Sequence, residues 1–330
     1  MHKRKHFLLL IISFIFACLS AVSGTFIGSA KENTVYLGGM PAGFTLYGKG
    51  AYVAGVCDVI TDKGLCSPAK NSDIRVGDLI LSINGTEVNS AIDIENTIKK
   101  EDKTIIIIDR KGEKVIKDVQ PVKDVNGKLK LGVLIKDTIN GIGTITFIKG
   151  GRFASLGHPV LDDDMQIMKI RGGEIFSCTI SGVVKGERGK PGELKGIFMK
   201  TMPNGKIQKN LENGVYGNLN DNSEIIKNAK KIEIGKAKVG KATIFTTIEG
   251  VSPKEYDISI VKIDMINKGV KNFVIKIDDD EIISKTGGIV QGMSGSPIVQ
   301  DGKLVGAVTH VFINDPTRGF GIDICNMINN

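Results

Sequence analysis

The chain has 330 residues, long enough for two domains and a leader, and 41% apolar with 24% charged residues excludes a disordered polymer. Part of the formal charge of +8 sits on Lys3, Arg4 and Lys5. The remaining lysines are scattered with no interleaved aromatics, which excludes nucleic acid as a partner and leaves a weak attraction to anionic membranes.

The N-terminus reads Met-His-Lys-Arg-Lys-His and then runs uncharged from Phe7 to Ala30. Such a run can cross a bilayer, since roughly 20 apolar residues span its core. A basic start before an apolar run is also the pattern of a secretory signal. Residues 1–30 are therefore read as a signal peptide or N-terminal membrane anchor, with everything after Ala30 exported. Small residues such as Ser29 and Ala30 permit cleavage, and removal or retention stays open.

Residues 31–125 are expected to form a first, α+β domain. Short β-type runs alternate with glycines from Val35 to Val59. Gly77-Asp78 then turns into an apolar strand, Asn84-Gly85 closes a tight hairpin, and Ala91 to Lys99 carries the apolar spacing of a short amphipathic helix. Four consecutive isoleucines between Lys103 and Asp109 predict a buried strand. Cys57 and Cys66 are compatible with a local disulfide or with two separate small apolar residues. The stretch IRVGDLILSINGTEV resembles a bacterial PDZ domain, a fold that binds an extended peptide as an added strand. By that resemblance Gly39 to Gly43 cradles a carboxylate and Phe44-Thr45-Leu46 is the open edge. Gly39, Gly43, Phe44 and Leu46 are then the peptide-binding residues; a plain sheet domain without ligand is the alternative.

Residues 126–330 read as strands and turns almost throughout, which fits a β-barrel or sandwich. Two places break the pattern. Gly151-Arg152-Phe153-Ala154-Ser155-Leu156-Gly157-His158-Pro159 holds one of the two histidines beyond the leader, the other being His310. Thr286 to Val299, TGGIVQGMSGSPIV, sets Ser294 between glycines ahead of Ser-Pro and a strand. That loop resembles the nucleophile loop of chymotrypsin-like peptidases, where the Gly292 and Ser294 amides would form an oxyanion hole. A serine hydroxyl is a poor nucleophile at neutral pH and needs a base. The order His158 then Ser294 matches such enzymes, and His310 reads as a cleft-wall residue. No cysteine or histidine spacing suits a metal, and no cofactor is expected.

GGRFASLGHPV together with TGGIVQGMSGSPIVQDGKLVGAVTHVFINDPTRGFGI resembles the sporulation stage IV protein B family of serine peptidases. The resemblance implies a leader, a PDZ domain and then a chymotrypsin-like double β-barrel. It also implies a self-cleaving endopeptidase between the two membranes of a developing endospore. There it would cut a partner in a membrane signalling complex, releasing an intramembrane protease that activates a late sigma factor. Carried over by residue, the histidine is His158, the serine Ser294 and the proposed acid Asp279. Asp162, Asp163, Asp164, Asp278 and Asp280 are rival acids. Met293 stands where chymotrypsin has the aspartate of its zymogen ion pair, so that switch is excluded. Protease-chaperones of the high-temperature-requirement type place the PDZ after the peptidase, unlike the order expected here. A catalytically idle PDZ scaffold is the reading from another class.

Overall fold

A computed structural model describes residues 33–330 apart from 100, 101, 199, 222, 224, 226–228, 265, 267 and 268. The expected leader lies outside the described residues, as does Lys227. No described helix is long and apolar enough to cross a membrane.

The described chain opens with β1 (Thr34–Leu37) and a long β2 (Pro41–Val56). Then come the hairpin β3 (Val59–Thr61) and β4 (Gly64–Cys66), helix α1 (Pro68–Asn71), β5 (Leu79–Ile83), β6 (Thr86–Glu87) and helix α2 (Ala91–Thr97). The hairpin β7 (Thr104–Arg110) and β8 (Glu113–Val119) and the ribbon β9 (Val122–Lys123) and β10 (Leu129–Lys130) lead into a second long strand, β11 (Val133–Lys149). After it follow β12 (Arg152–Ser155), β13 (Ile170–Val184), β14 (Glu193–Phe198), β15 (Gly205–Leu211), β16 (Gly214–Leu219) and β17 (Lys231–Ile234). The last part holds β18 (Gly240–Thr246), β19 (Lys254–Ile263), β20 (Phe273–Ile277) and helix α3 (Asp280–Thr286). It ends in β21 (Pro297–Gln300), β22 (Lys303–Phe312), β23 (Asp315–Asp323) and helix α4 (Cys325–Ile328).

The ladders close two rings. In the first, β2 pairs with β11, β11 with β12, β12 with β16, β16 with β15, β15 with β13, and β13 returns to β2. In the second, β18, β19, β20, β23, β22 and β21 follow one another and β21 returns to β18. Closure leaves these rings no open edge, and strand alternation turns one face of each strand inward. Phe44, Leu46, Ile145, Phe153, Ile175 and Val215 fill the first barrel, and Ile244, Ile258, Phe273, Ile275, Ile298 and Val308 the second. A seam of Leu37, Phe147, Tyr216, Leu304, Ile322 and Met327 joins them. This is the expected double β-barrel.

The expected first domain, residues 31–125, departs from expectation. Its apolar core runs from Ala51 and Val53 through Ile80, Ile94 and Ile106 to Leu131, while Phe44 and Leu46 belong to the first barrel. Strands β2 and β11 pair along nearly their whole length, from Thr144 with Pro41 to Val133 with Val56. One end of this shared ribbon builds the barrel and the other carries the small module. The module is thus inserted between two barrel strands, and no boundary near residue 125 separates two tandem bodies. The cysteines of its first hairpin, Cys57 and Cys66, are free.

Two expected features inside the module have clear physical causes. Ser90 caps α2 by accepting the Asp93 amide, and the Asp93 carboxylate accepts the Asn89 amide in return. Asp78 of the Gly77-Asp78 turn is buried and accepts Arg110 Nε and Nη2 at 2.7 and 2.8 Å, with the Arg75 amide as third donor. A buried carboxylate survives only when paired in this way.

The peptide-binding assignment is corrected by the ladder. Phe44 pairs with Gly141 on one side and Ile175 on the other, and Leu46 with Ile139 and Gly173. Gly43 lies between Ile142 and Phe176, and a Cβ there would fall 2.3 Å from the Phe198 ring. The Gly39 amide donates to the Ile145 carbonyl, and the Gly39 carbonyl accepts Thr247 Oγ1. None of the four offers a free edge to a peptide.

Candidate active site

Ser294 and His158 approach from different barrels. Ser294 sits in the turn before β21, and its Oγ donates to the Thr309 carbonyl of β22 at 2.8 Å. His158 follows β12, and its ring lies against the ring of His310, the next residue on β22, with centroids 4.9 Å apart and planes tilted by 42°. The dipeptide Thr309-His310 therefore touches both expected catalytic groups.

The approach needs small residues. At Gly157, with φ of +69°, a Cβ would meet Thr309 Cγ2 at 3.0 Å. At Gly295, with φ of +92°, it would fall 2.2 Å from the Thr144 carbonyl oxygen. Leu156 holds a φ of +68°, a costly conformation for a side-chain-bearing residue, two positions before the histidine.

The His158 Nδ1 contacts the Pro159 carbonyl at 2.8 Å, so that nitrogen carries the proton and Nε2 keeps the lone pair. Desolvation pushes its pKa below the usual 6.5, opposed by the Pro159 carbonyl. His310 is pushed down to about 4 by burial, with His158 and Lys271 adding to the effect, and its Nδ1 is buried without a partner among the described residues.

No carboxylate among the described residues holds His158. Asp279 instead caps α3: its side chain accepts the Ile282 amide at 3.1 Å, with Asp257 N at 3.5 Å. Three of the rivals are engaged elsewhere: Asp162 accepts the amides of Asp164 and Gln166, Asp163 pairs with Lys136, and Asp278 with Ser259 and Lys276. The expectation of Asp279 as triad acid is thus corrected. Asparagine caps helices as well as aspartate does. Asp279→Asn is expected to leave kcat and the urea midpoint unchanged. Asp279→Ala should cost about 1 kcal/mol of stability in urea unfolding, with kcat again unchanged.

The nucleophile turn is held one peptide unit at a time. The Gln291 carbonyl accepts the Leu194 amide at 2.9 Å, Gly292 the Thr144 hydroxyl at 2.9 Å, Met293 the Ser296 amide at 2.9 Å, and Ser294 the Thr144 amide at 3.0 Å. In a trans peptide the N–H points opposite the preceding carbonyl. The Gly292 and Ser294 amides are thereby aimed away from these anchors, and among the described residues neither has a protein acceptor. The Met293 amide between them turns back to the Val290 carbonyl at 3.1 Å. Two amides without a protein acceptor thus flank the Met293 amide in the Ser294 turn, and such donors are what an oxyanion hole is built from.

Sequence reasoning missed the hydroxyls beneath this turn. Thr144, Thr146 and Ser155 are buried, and Thr146 Oγ1 donates to the Gly295 carbonyl at 2.8 Å while Ser155 Oγ donates to Thr144 O at 2.6 Å. The available signal was a pair of threonines at period two in an apolar strand, on the face opposite Ile145.

A serine in a glycine turn, a neutral buried histidine and two unpaired amides between two β-barrels define a serine peptidase. The family model of SpoIVB peptidase S55 matches residues 127–328. The chain belongs to that family and is a serine peptidase of the SpoIVB type. No curated protein matches it. Among solved structures it is similar to the crystal structure of Rv3671c from M. tuberculosis H37Rv, an inactive mutant form. The identity is 13%, the match covers 56% of this chain and 78% of that one, and the TM-score is 0.30.

Proposed function

We propose that Ser294 is the nucleophile and His158 the general base of an exported endopeptidase that cleaves itself and a membrane-associated partner protein. The observation that carries this reading is the contact of both residues with Thr309-His310 beside the free amides of Gly292 and Ser294. His158 Nε2 takes the serine proton as Oγ attacks the scissile carbonyl, and later gives it to the leaving amine. The Pro159 carbonyl keeps the tautomer that a triad acid would otherwise keep, but supplies no negative charge to the imidazolium. His310, beside the base, lines the cleft.

Membership of the SpoIVB family, together with the apolar run from Phe7 to Ala30, supports action in the endospore intermembrane space. There, cleavage of the partner would trigger intramembrane proteolysis and late sigma-factor activation. The inserted module would dock a peptide, as its PDZ-like stretch suggests, through an edge other than Phe44 to Leu46.

A fluorophosphonate probe tests the reading. It should modify Ser294 in the full chain, identified by peptide mass, and Ser294→Ala should abolish labelling. An unlabelled wild-type chain would favour the idle scaffold. The pH profile is a second check. Protonated His158 is inactive, and burial disfavours that form, so the acid limb of kcat/KM should lie below pH 6.5. A limb at or above 6.5 contradicts a desolvated base.

A further inference from the structure

We propose that Thr144 is a positioning residue for the oxyanion hole and the base, an inference that rests on the reading of Ser294 as nucleophile. All three of its polar atoms are spent on the two catalytic loops. The hydroxyl donates to the Gly292 carbonyl at 2.9 Å and the amide to the Ser294 carbonyl at 3.0 Å. Its carbonyl accepts Ser155 Oγ at 2.6 Å and the Leu156 amide at 3.4 Å, just ahead of His158. No other described residue bonds both loops in this manner.

The hydroxyl bond is the sensitive one. Gly292 has a φ of +99°, and glycine gives the plane that follows it wide freedom to rotate. That plane lies between the peptide units carrying the two hole amides. Neighbouring carbonyls at Gln291, Met293 and Ser294 are held by backbone amides, whereas the Gly292 carbonyl is held by a side chain, and without it the plane keeps only the Met293 amide's bond to the Val290 carbonyl at 3.1 Å. Rotation of this plane would alter the angle between the two units it links, and so the direction of the Ser294 amide relative to the Gly292 amide. A site of this kind is worth most when its donors are oriented in advance.

The test uses the purified full chain and a fluorophosphonate probe. In labelling, the Oγ–P bond forms, P–F breaks, fluoride leaves and the serine proton passes to His158; the phosphonyl oxygen then occupies the hole. Thr144→Val keeps the side-chain shape and deletes the hydroxyl. It should lower the maximal labelling rate kinact at least about tenfold and leave KI within about twofold. Thr144→Ser should restore kinact. Thr146→Val is the matched control: an equally buried hydroxyl on the same strand is lost, but its carbonyl partner, Gly295, holds no hole amide. It should lower Tm, and lower kinact by less than Thr144→Val does.

A wild-type kinact in Thr144→Val overturns the proposal, as does an equal fall in Thr146→Val. If the valine variant does not fold, Thr144→Ala is read in its place. Loss of fold in both while Thr146→Val folds makes Thr144 a scaffold residue and also overturns the proposal. Absence of labelling in the wild-type chain, or labelling that survives Ser294→Ala, defeats the nucleophile reading instead.

Discussion

Ser294→Ala is expected to lower kcat/KM roughly 10⁴- to 10⁶-fold while leaving the fold intact, and His158→Ala should match it. The two residues act as a unit, so the double variant should be no worse than either single one. Alanine at 294 removes the oxygen that attacks; alanine at 158 leaves that oxygen with no acceptor for its proton. The residual rate should come from the Gly292 and Ser294 amides, which neither change displaces. Self-cleavage of the full chain, followed on gels, and probe labelling supply the two readouts. Additive losses in the double variant would mean that the histidine acts apart from the serine. A full loss in His310→Ala with activity retained in His158→Ala would exchange the roles of the two imidazoles.

Gly295→Ala carries the second large effect, although it touches no reacting atom. Its φ of +92° costs a residue with a Cβ about 1–3 kcal/mol. The added carbon would also lie 2.2 Å from the Thr144 carbonyl and 2.5 Å from the Leu156 amide nitrogen, both backbone atoms that cannot rotate aside. The nucleophile turn must therefore lift off β11, moving Ser294 relative to His158. Displacement of a reacting group by about 1 Å can cost 10²-fold in rate. The expected result is a lower Tm together with a loss of probe labelling of roughly that size. Labelling at the wild-type rate would show that the turn does not depend on this close approach.

Both catalytic motifs were legible because each is a local departure from strand alternation. Glycines at 157, 292 and 295 mark positive-φ turns under close approach, and such spacing survives without any knowledge of the fold. The partners of those glycines are remote in the chain and leave no local mark, so the Thr144 hydroxyl bond could not be seen. Phe44 to Leu46 was misjudged because an apolar strand reads the same whether one edge is paired or both are. The inserted module was hidden by β2, which the Gly48-Lys49-Gly50 interruption makes look like two strands although it runs on from one core to the next. Asp279 is different, since its signals were present and overlooked. An aspartate followed by Asp280 and Glu281, with Gly287 closing the segment in the left-handed conformation, is the start and stop pattern of a short helix.

The position of β1 bears on when the enzyme can first work. Val35 pairs across to Ile232 and Tyr36 to Ile148, and β17 in turn lies parallel to β22 at Leu304. A ribosome makes β1 before any of these partners, so the earliest described strand waits for some of the latest. Closing such long loops costs entropy before any ladder repays it, which makes assembly slow and places it after synthesis. A growing chain that has reached the His158 loop still lacks Ser294, Thr309 and the entire second ring. A chain that stops short of β23 lacks the strand between β20 and β22 and so cannot close the ring that carries the Ser294 turn.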